Sequence, residues 1–533
     1  MLKRKCSYLL VLAFVLVIIA FIGLENGYIK AQTDNIYMKI KVIGEILNAV
    51  RNNYVEKVDS NKLLEKAING MLEGLDPHTV YVPPERFTRM RDNFAGYGGI
   101  GISFLIVRNK ITVMSVMEHG PSKKVGIEPG DRIIKINGES AIGIKIEDVP
   151  KKLKGIPGTK VTVTIEREGW DKPRDFVITR AHVDVESVQT AYMIGDDIGY
   201  IKLNKFSSTT AEELEKALNK LEKQGMKKLL FDLRNNTGGY LNEAVAVADK
   251  FLSGNKKIVY TRGRIRSSNR EEYSTDAATH EKFPLIILIN RNTASASEIV
   301  SGAVQDWDRG LIVGETSFGK GLVQTQIKLS NGGALLLTTA KYFTPSGRLI
   351  QRPYKNKTRE QYRREAYNDS LRNALILKEK RPMFKTNGGR VVYGGGGITP
   401  DVFIPASNDT VSFFLRNLLS SNDIPIQTYA DKYAAKYKNL WIDADTFIKE
   451  FKLIDRILNE FKETLNEINY KFDEKTLQTY REELEFWLKS EIAYQLWGNY
   501  GKQKVFNADD IQLKKSLKLF DKAKELMIKY GYK

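Results

Sequence analysis

Cysteine is almost absent from this chain: Cys6 is the single one in 533 residues. No disulfide can therefore close within one chain. Cys6 also precedes the apolar run of the N-terminus instead of ending it, so it does not occupy the acceptor position of a lipoprotein. Histidine is nearly as scarce, with four copies. His78 lies in a Pro-bounded turn, His119 and His182 fall in or beside a β-rich stretch, and His280 lies in a polar loop. None stands beside a carboxylate in an evident triad context, which weakens a Ser-His-Asp site. Spacing does not report proximity, so such a site stays open at this point.

Long apolar runs are scarce too, apart from Tyr8 to Leu24, which is about the shortest length that crosses a bilayer. Lys3, Arg4 and Lys5 precede it, the pattern of an export signal. The stretch after it offers only weak cleavage candidates, so residues 1–30 are read as a membrane anchor, with a cleaved signal peptide as the alternative. Positive residues before the span stay cytoplasmic, which puts the rest on the far side: a periplasmic or otherwise extracytoplasmic protein, inner-membrane anchored or secreted. The net charge of +19 is spread along the whole length and reads as a solvated basic surface near anionic lipid; no nucleic-acid partner is expected. With 42% hydrophobic residues the chain is too apolar to be disordered, and it is too long for one core, so three or more globular pieces are expected.

The pattern changes along the chain. Ile43, Ile46, Leu47, Val50 and Tyr54, then Leu63, Leu64, Ala67, Ile68 and Met71, recur at helical spacing within a region taken as 31–92. From 93 to 183 short alternating strands are separated by Gly-rich turns such as Pro129-Gly130-Asp131 and Asn137-Gly138. From 184 to 408 apolar strands at 198–203, 229–233 and 285–290 alternate with helices near 211–224 and 242–252, an α/β domain. Residues 353–390, polar and basic, are expected to form an insert without chemistry. From 409 to 533 the chain reads all-helical, and Phe447, Phe451, Ile454, Leu458, Phe461, Leu465 and Ile468 form one seam. A packing helix is the first reading of that seam and a dimer coil the second.

Three segments could carry chemistry. Asn290 to Val300 follows an apolar strand and opens a helix, so Ser295 would stand at a strand-to-helix turn near unpaired N–H groups that can hold an oxyanion. Ser295 with Glu298 also spells a capping box, and the residues alone leave both readings open. A serine hydroxyl needs a base. Lys320, between Gly319 and Gly321, is a candidate if burial favours its neutral amine. Leu322, Gln324 and Gln326 alternate with Val323, Thr325 and Ile327, which puts Lys320 and Gln324 on one face of a strand. The same loop matches Gly-x-x-x-x-Gly-Lys, but Gly321 replaces the metal-binding Ser or Thr and a strand pattern replaces the helix, against nucleotide binding. In the third segment, Asp232 to Gly239, the paired Gly238 and Gly239 could place an N–H beside that of Ala296, or could form a plain turn.

Together with Tyr54 to Asp59, Leu75 to His78 and Tyr342 to Gly347, these segments resemble the carboxy-terminal-processing peptidases, also called tail-specific proteases. The resemblance covers roughly residues 40–350 and implies a multidomain α/β protein: a crotonase-like protease core, an inserted PDZ domain, and helical N- and C-terminal regions. It also implies a serine endopeptidase that cuts exported proteins near their C-termini, with Ser295 as nucleophile, Lys320 as general base and Gln324 beside it. Ala296 with Gly238 or Gly239 would form the oxyanion hole. No metal or cofactor is implied. Thr237 stands where the family usually has proline, which leaves open which glycine donates. The β-rich stretch resembles a bacterial PDZ domain, with Gly99, Ile100, Gly101 and Ile102 as the loop that holds a substrate's terminal carboxylate. Substrate tails are the expected partners, and an adaptor protein and self-association are left open. The competing class is an idle PDZ scaffold in an envelope assembly.

Overall fold

The computed structural model describes residues 35–532 except 118, 277–279, 368–380, 407–410 and 422. The expected anchor or signal at residues 1–30 lies outside the described residues. Among those described, no helix is long and apolar enough to cross a membrane. The chain divides into two units, Met1–Asp76 and Pro77–Lys533. In the first, residues 35–53 are helical and a second helix spans Ser60–Glu73. Asp59 starts that second helix by accepting from the N–H groups of Asn61 and Lys62.

In the second unit the main sheet takes the order Val188–Ile194, Ile198–Leu203, Lys228–Asp232, Leu285–Ile289, Leu311–Gly314, Val402–Phe403. The first pair is antiparallel and the rest parallel. Its central strands are covered on both faces, which is why they read as unbroken apolar runs. Leu229, Phe231, Ile287 and Ile289 face the helices Thr210–Lys223, Leu241–Asp249 and Ala296–Asp306. Leu230, Ile286 and Leu288 face the other way, onto Leu513, Phe520 and Ala523. A second sheet joins Val80–Val82, Ala334–Phe343, Lys257–Gly263 and Arg270–Tyr273, with Leu322–Lys328 also paired to Ala334–Phe343. Residues 80–82, placed by the sequence in a helical region, thus belong to a sheet of the α/β domain.

The β module is an antiparallel sheet running Ile102–Val107, Lys110–Val116, Arg132–Ile136, Lys160–Glu166, Arg174–Thr179. Its two ends are zipped together where Tyr97–Gly99 pairs with Ala181–Val183. The helix Pro84–Ala95 leads straight into it.

The C-terminal seam is buried, but not on one helix. Helix Ala444–Glu450 ends, Phe451 and Ile454 take extended conformations, and a new helix spans Asp455–Glu467. Phe447, Phe451, Leu458, Phe461 and Leu465 share one intramolecular core, whereas Ile454 is half exposed. Helices Ile511–Leu517 and Phe520–Lys529 leave that helical module and close the back of the main sheet.

Candidate active site

Ser295 ends the turn between strand Leu285–Ile289 and helix Ala296–Asp306 with φ 57° and ψ −114°. A side chain at positive φ is strained by about 1–3 kcal/mol and persists only where its surroundings hold it. The surroundings here are Asn236, Leu233 and Glu298. The Ala294 N–H donates to the Asn236 carbonyl (3.0 Å), and Thr293 Oγ1 donates to the Leu233 carbonyl (2.9 Å). Glu298 Oε2 accepts from the Ser295 N–H at 2.8 Å. The expected capping box between Ser295 and Glu298 is thus formed, and the Glu298 N–H also donates to the Ser295 carbonyl (2.8 Å).

The same carboxylate reaches the lysine loop. Its Oε2 also accepts from the Lys320 N–H (2.9 Å), and its Oε1 takes the Gly319 N–H (2.6 Å) and the Ser317 hydroxyl. Glu298 is fully buried, and burial pushes its carboxyl above the usual range against the pull of these four donors. The N–H groups a phosphate would need are therefore spent on a carboxylate, and strand Leu322–Lys328 follows the loop where a phosphate site needs a helix. Lys320 and Gln324 share a face, as the period-two pattern requires: Lys320 Nζ donates to Gln324 Oε1 at 2.7 Å. Gln324 Nε2 in turn donates to the His78 carbonyl (2.7 Å).

Gly238 has φ +96°, and a Cβ there would lie 2.8 Å from Ser295 Cβ and from the Ala294 carbonyl. Glycine is needed because the two loops touch. Its N–H, however, donates to Asn236 Oδ1 (2.9 Å), and its carbonyl accepts from the Phe206 N–H (3.1 Å). Asp232 fixes the base of this loop. Burial opposes its charge, but the Arg234 guanidinium and Lys202 ammonium hold its carboxyl below the usual carboxylate range. Arg234 also contacts Gln512 (3.0 Å) and Asp510 (2.6 Å). The last helices thereby brace the loop.

Ser295, Ala296, Gly238, Gly239, Lys320 and Gln324 line one cleft of about 330 Å³ with Met90, Phe94, Tyr240, Ile299, Leu322 and Leu336. Ser297 does not line it. Its hydroxyl is buried and donates to the Asn236 carbonyl (3.0 Å). The histidine rings stay out of the cleft as well: His182 pairs with Asp184 (3.1 Å), and His280 sits between Glu222 (2.7 Å) and Glu215 (3.3 Å). The loop from Gly99 to Ile102 lies in the β module, where the carbonyls of Ile100 and Gly101 accept from the N–H groups of Ser122 (3.0 Å) and Met117 (3.0 Å). It opens the edge strand Ile102–Val107.

Sequence reasoning missed three contributors. Glu298 reads as a cap and turns out to bridge. His78 reads as a turn residue, and its carbonyl holds Gln324. Tyr342 hydrogen-bonds the Ser295 carbonyl through its hydroxyl (3.2 Å). The Ser-x-x-Glu spacing marked Glu298, and His78 and Tyr342 lie in segments that carry the family resemblance, but none of these signals showed the contact each residue makes.

Comparison with known proteins decides the family. The Peptidase family S41 profile matches residues 197–357. A carboxy-terminal-processing protease of Bartonella bacilliformis is 43% identical over 324 residues, covering 60% of this chain and 74% of that one. The chain belongs to peptidase family S41. Carboxy-terminal processing protease CtpB of Bacillus subtilis is similar to this S41 peptidase at 35% identity over 326 residues, 60% of this chain and 67% of that one. A solved photosystem II D1 C-terminal processing protease aligns at 26% identity over 71% of the S41 peptidase and 97% of its own chain, with a TM-score of 0.33. Residues 112–167 match a PDZ domain, and 25–85 match the activating protease CtpB N-terminal domain. Residues 415–498, within the helical C-terminal region, match a family of unknown function.

Proposed function

We propose that Ser295 and Lys320 are the working pair of an endopeptidase that cuts exported polypeptides near their C-termini. The observation that carries this reading is the Glu298 bridge: one carboxylate oxygen ties the N–H of Ser295 to that of Lys320, and both side chains line the same cleft. Ser295 Oγ attacks the scissile carbonyl carbon while its proton passes to the neutral amine of Lys320. The oxyanion is held by the N–H of Ala296, unpaired as the first of its helix, and by that of Gly239, since Gly238 is engaged with Asn236. Lys320 returns the proton to the leaving amine. It then takes one from water, which attacks the acyl ester, and passes it to Ser295 Oγ as the ester bond breaks and the new C-terminus is released. Gln324 accepts from one Lys320 N–H and so aims the nitrogen lone pair. The residues provide for this chemistry without a metal or cofactor.

The PDZ domain supplies the substrate's place. Its Gly99–Ile102 loop would hold the terminal carboxylate while the preceding residues pair with the edge strand Ile102–Val107. The apolar run Tyr8 to Leu24 behind a basic start supports an extracytoplasmic site of action beside the membrane.

Ser295→Ala is expected to abolish cleavage of a test protein with an unstructured tail, by at least about 10³-fold, and to leave binding of a tail peptide unchanged. Lys320→Ala should do the same and should also block labelling of Ser295 by a fluorophosphonate. Retained cleavage by either variant would remove the assignment.

A further inference from the structure

The insert after residue 353, which carries no chemistry in the sequence, reaches the base. Helix Arg359–Tyr367 buries Tyr362, whose hydroxyl lies 3.3 Å from His78 Nε2 and accepts from Gln351 Nε2 at 2.9 Å. Gln351 Oε1 accepts from the N–H of Gly321, the residue after Lys320 (2.9 Å). The His78 carbonyl is the acceptor for Gln324, and Gln324 is the acceptor for Lys320 Nζ. A closed circuit of hydrogen bonds therefore surrounds the lysine, entering its side chain through His78 and Gln324 and its backbone through Gln351 and Gly321. Tyr362 is where the two branches meet.

Packing fixes the ring that carries this hydroxyl. Arg352 lies over the faces of both Tyr362 (4.2 Å) and Phe318 (4.4 Å), and its N–H donates to the Gly319 carbonyl (3.0 Å). The His78 ring meets Tyr362 edge-on at 5.4 Å. Burial pushes the phenol up, so it stays protonated and keeps its hydroxyl in the contact with His78 Nε2. A second strap comes from the same helix: Arg359 Nη2 donates to the Thr79 carbonyl (3.1 Å). Thr79 Oγ1 in turn accepts from the N–H of Thr338, the cross-strand partner of Gln324 (3.2 Å).

We infer that Tyr362 is a positioning residue for the peptidase reaction: through His78 and Gln324 it holds the Lys320 amine in place, and the insert helix is part of the catalytic apparatus. The inference rests on the roles proposed above for Lys320 and Gln324. It concerns residues beyond the span matched by the S41 family.

The test is a double-mutant cycle on the full chain, measuring kcat and KM on one peptide substrate for Tyr362→Phe in the wild-type and Gln324→Ala backgrounds. Tyr362→Phe keeps the ring and its contacts and removes only the hydroxyl. Expected are a fall in kcat of about tenfold at unchanged KM in the wild-type background, and less than about twofold in the Gln324→Ala background, as coupled residues require. Arg359→Ala should show the same pattern with a smaller fall. Unchanged kcat for Tyr362→Phe, or an equal fall in both backgrounds, overturns the positioning role while leaving Lys320 and Gln324 untouched. A Gln324→Ala variant as active as wild type overturns both.

Discussion

Replacing Glu298 by Gln changes one atom of a buried side chain, and the structure says how much should follow. The carboxylate accepts four hydrogen bonds, from the N–H groups of Ser295, Lys320 and Gly319 and from the Ser317 hydroxyl. An amide has one acceptor oxygen. In its better orientation that oxygen keeps Ser295 and Lys320, and the NH₂ group faces Gly319 and Ser317. The hydroxyl can turn to accept, but the Gly319 N–H cannot, and a buried donor left without a partner costs about 1–3 kcal/mol. The retained bonds also lose their charge assistance, which roughly doubles a hydrogen bond. Together these amount to about 3–5 kcal/mol. Because the lost bonds hold the loop of Lys320 and the strained backbone of Ser295, part of this should appear as a fall in kcat/KM of about 10²-fold, close to 2.7 kcal/mol, and the rest as lowered stability. Hydrolysis of a quenched fluorescent peptide and urea unfolding of the same preparation measure the two parts. A variant with kcat/KM within about threefold of wild type and the same urea midpoint would refute the bridge as the element that joins Ser295 to Lys320.

Ser297→Ala removes one neutral hydrogen bond to a carbonyl that keeps its bond from Ala294, so a stability loss of about 0.5–1.5 kcal/mol and near-normal cleavage are expected. Cleavage as deficient as that of Ser295→Ala would overturn the choice between the two serines. Asp431 predicts a pH effect. It lies on helix Pro425–Tyr437 against the PDZ turn at Gly130, with Glu491 and Arg132 as its charged neighbours, and burial pushes its carboxyl up to about 7. The unfolded chain loses that proton near pH 4, whereas the folded chain keeps it to about 7, so this group's contribution to stability falls as pH rises through that window and is level above it. Asp431→Asn should remove the slope and raise stability at pH 7.5 by on the order of 2–4 kcal/mol, with little change near pH 4. Calorimetric melting from pH 4 to 8 checks this, and identical slopes for wild type and variant would contradict it.

Local pattern carried a large part of this protein. The apolar runs at 198–203, 229–233 and 285–290 marked strands covered on both faces, because a strand without a polar side has to be buried on both. Period two placed Lys320 and Gln324 on one face, and the Gly pair marked a close approach, since only glycine lets Gly238 lie against Ser295. The choice of Ser295 over Ser297 rests on family resemblance; the fold adds that one hydroxyl is buried on Asn236 and the other residue lines the cleft. The break at Phe451–Ile454 lay beyond the sequence, because a seam of apolar residues records what is buried and not whether one helix carries it. So did Glu298, His78 and Tyr362. Each acts through a polar contact to another loop or strand, 22 residues away for Glu298 and Lys320 and 246 for His78 and Gln324. Such contacts leave no periodic trace in a sequence: the alternation of apolar and polar residues determined which strands would form, and only the folding of loops onto one another decided which carboxylate, carbonyl and phenol hold the lysine.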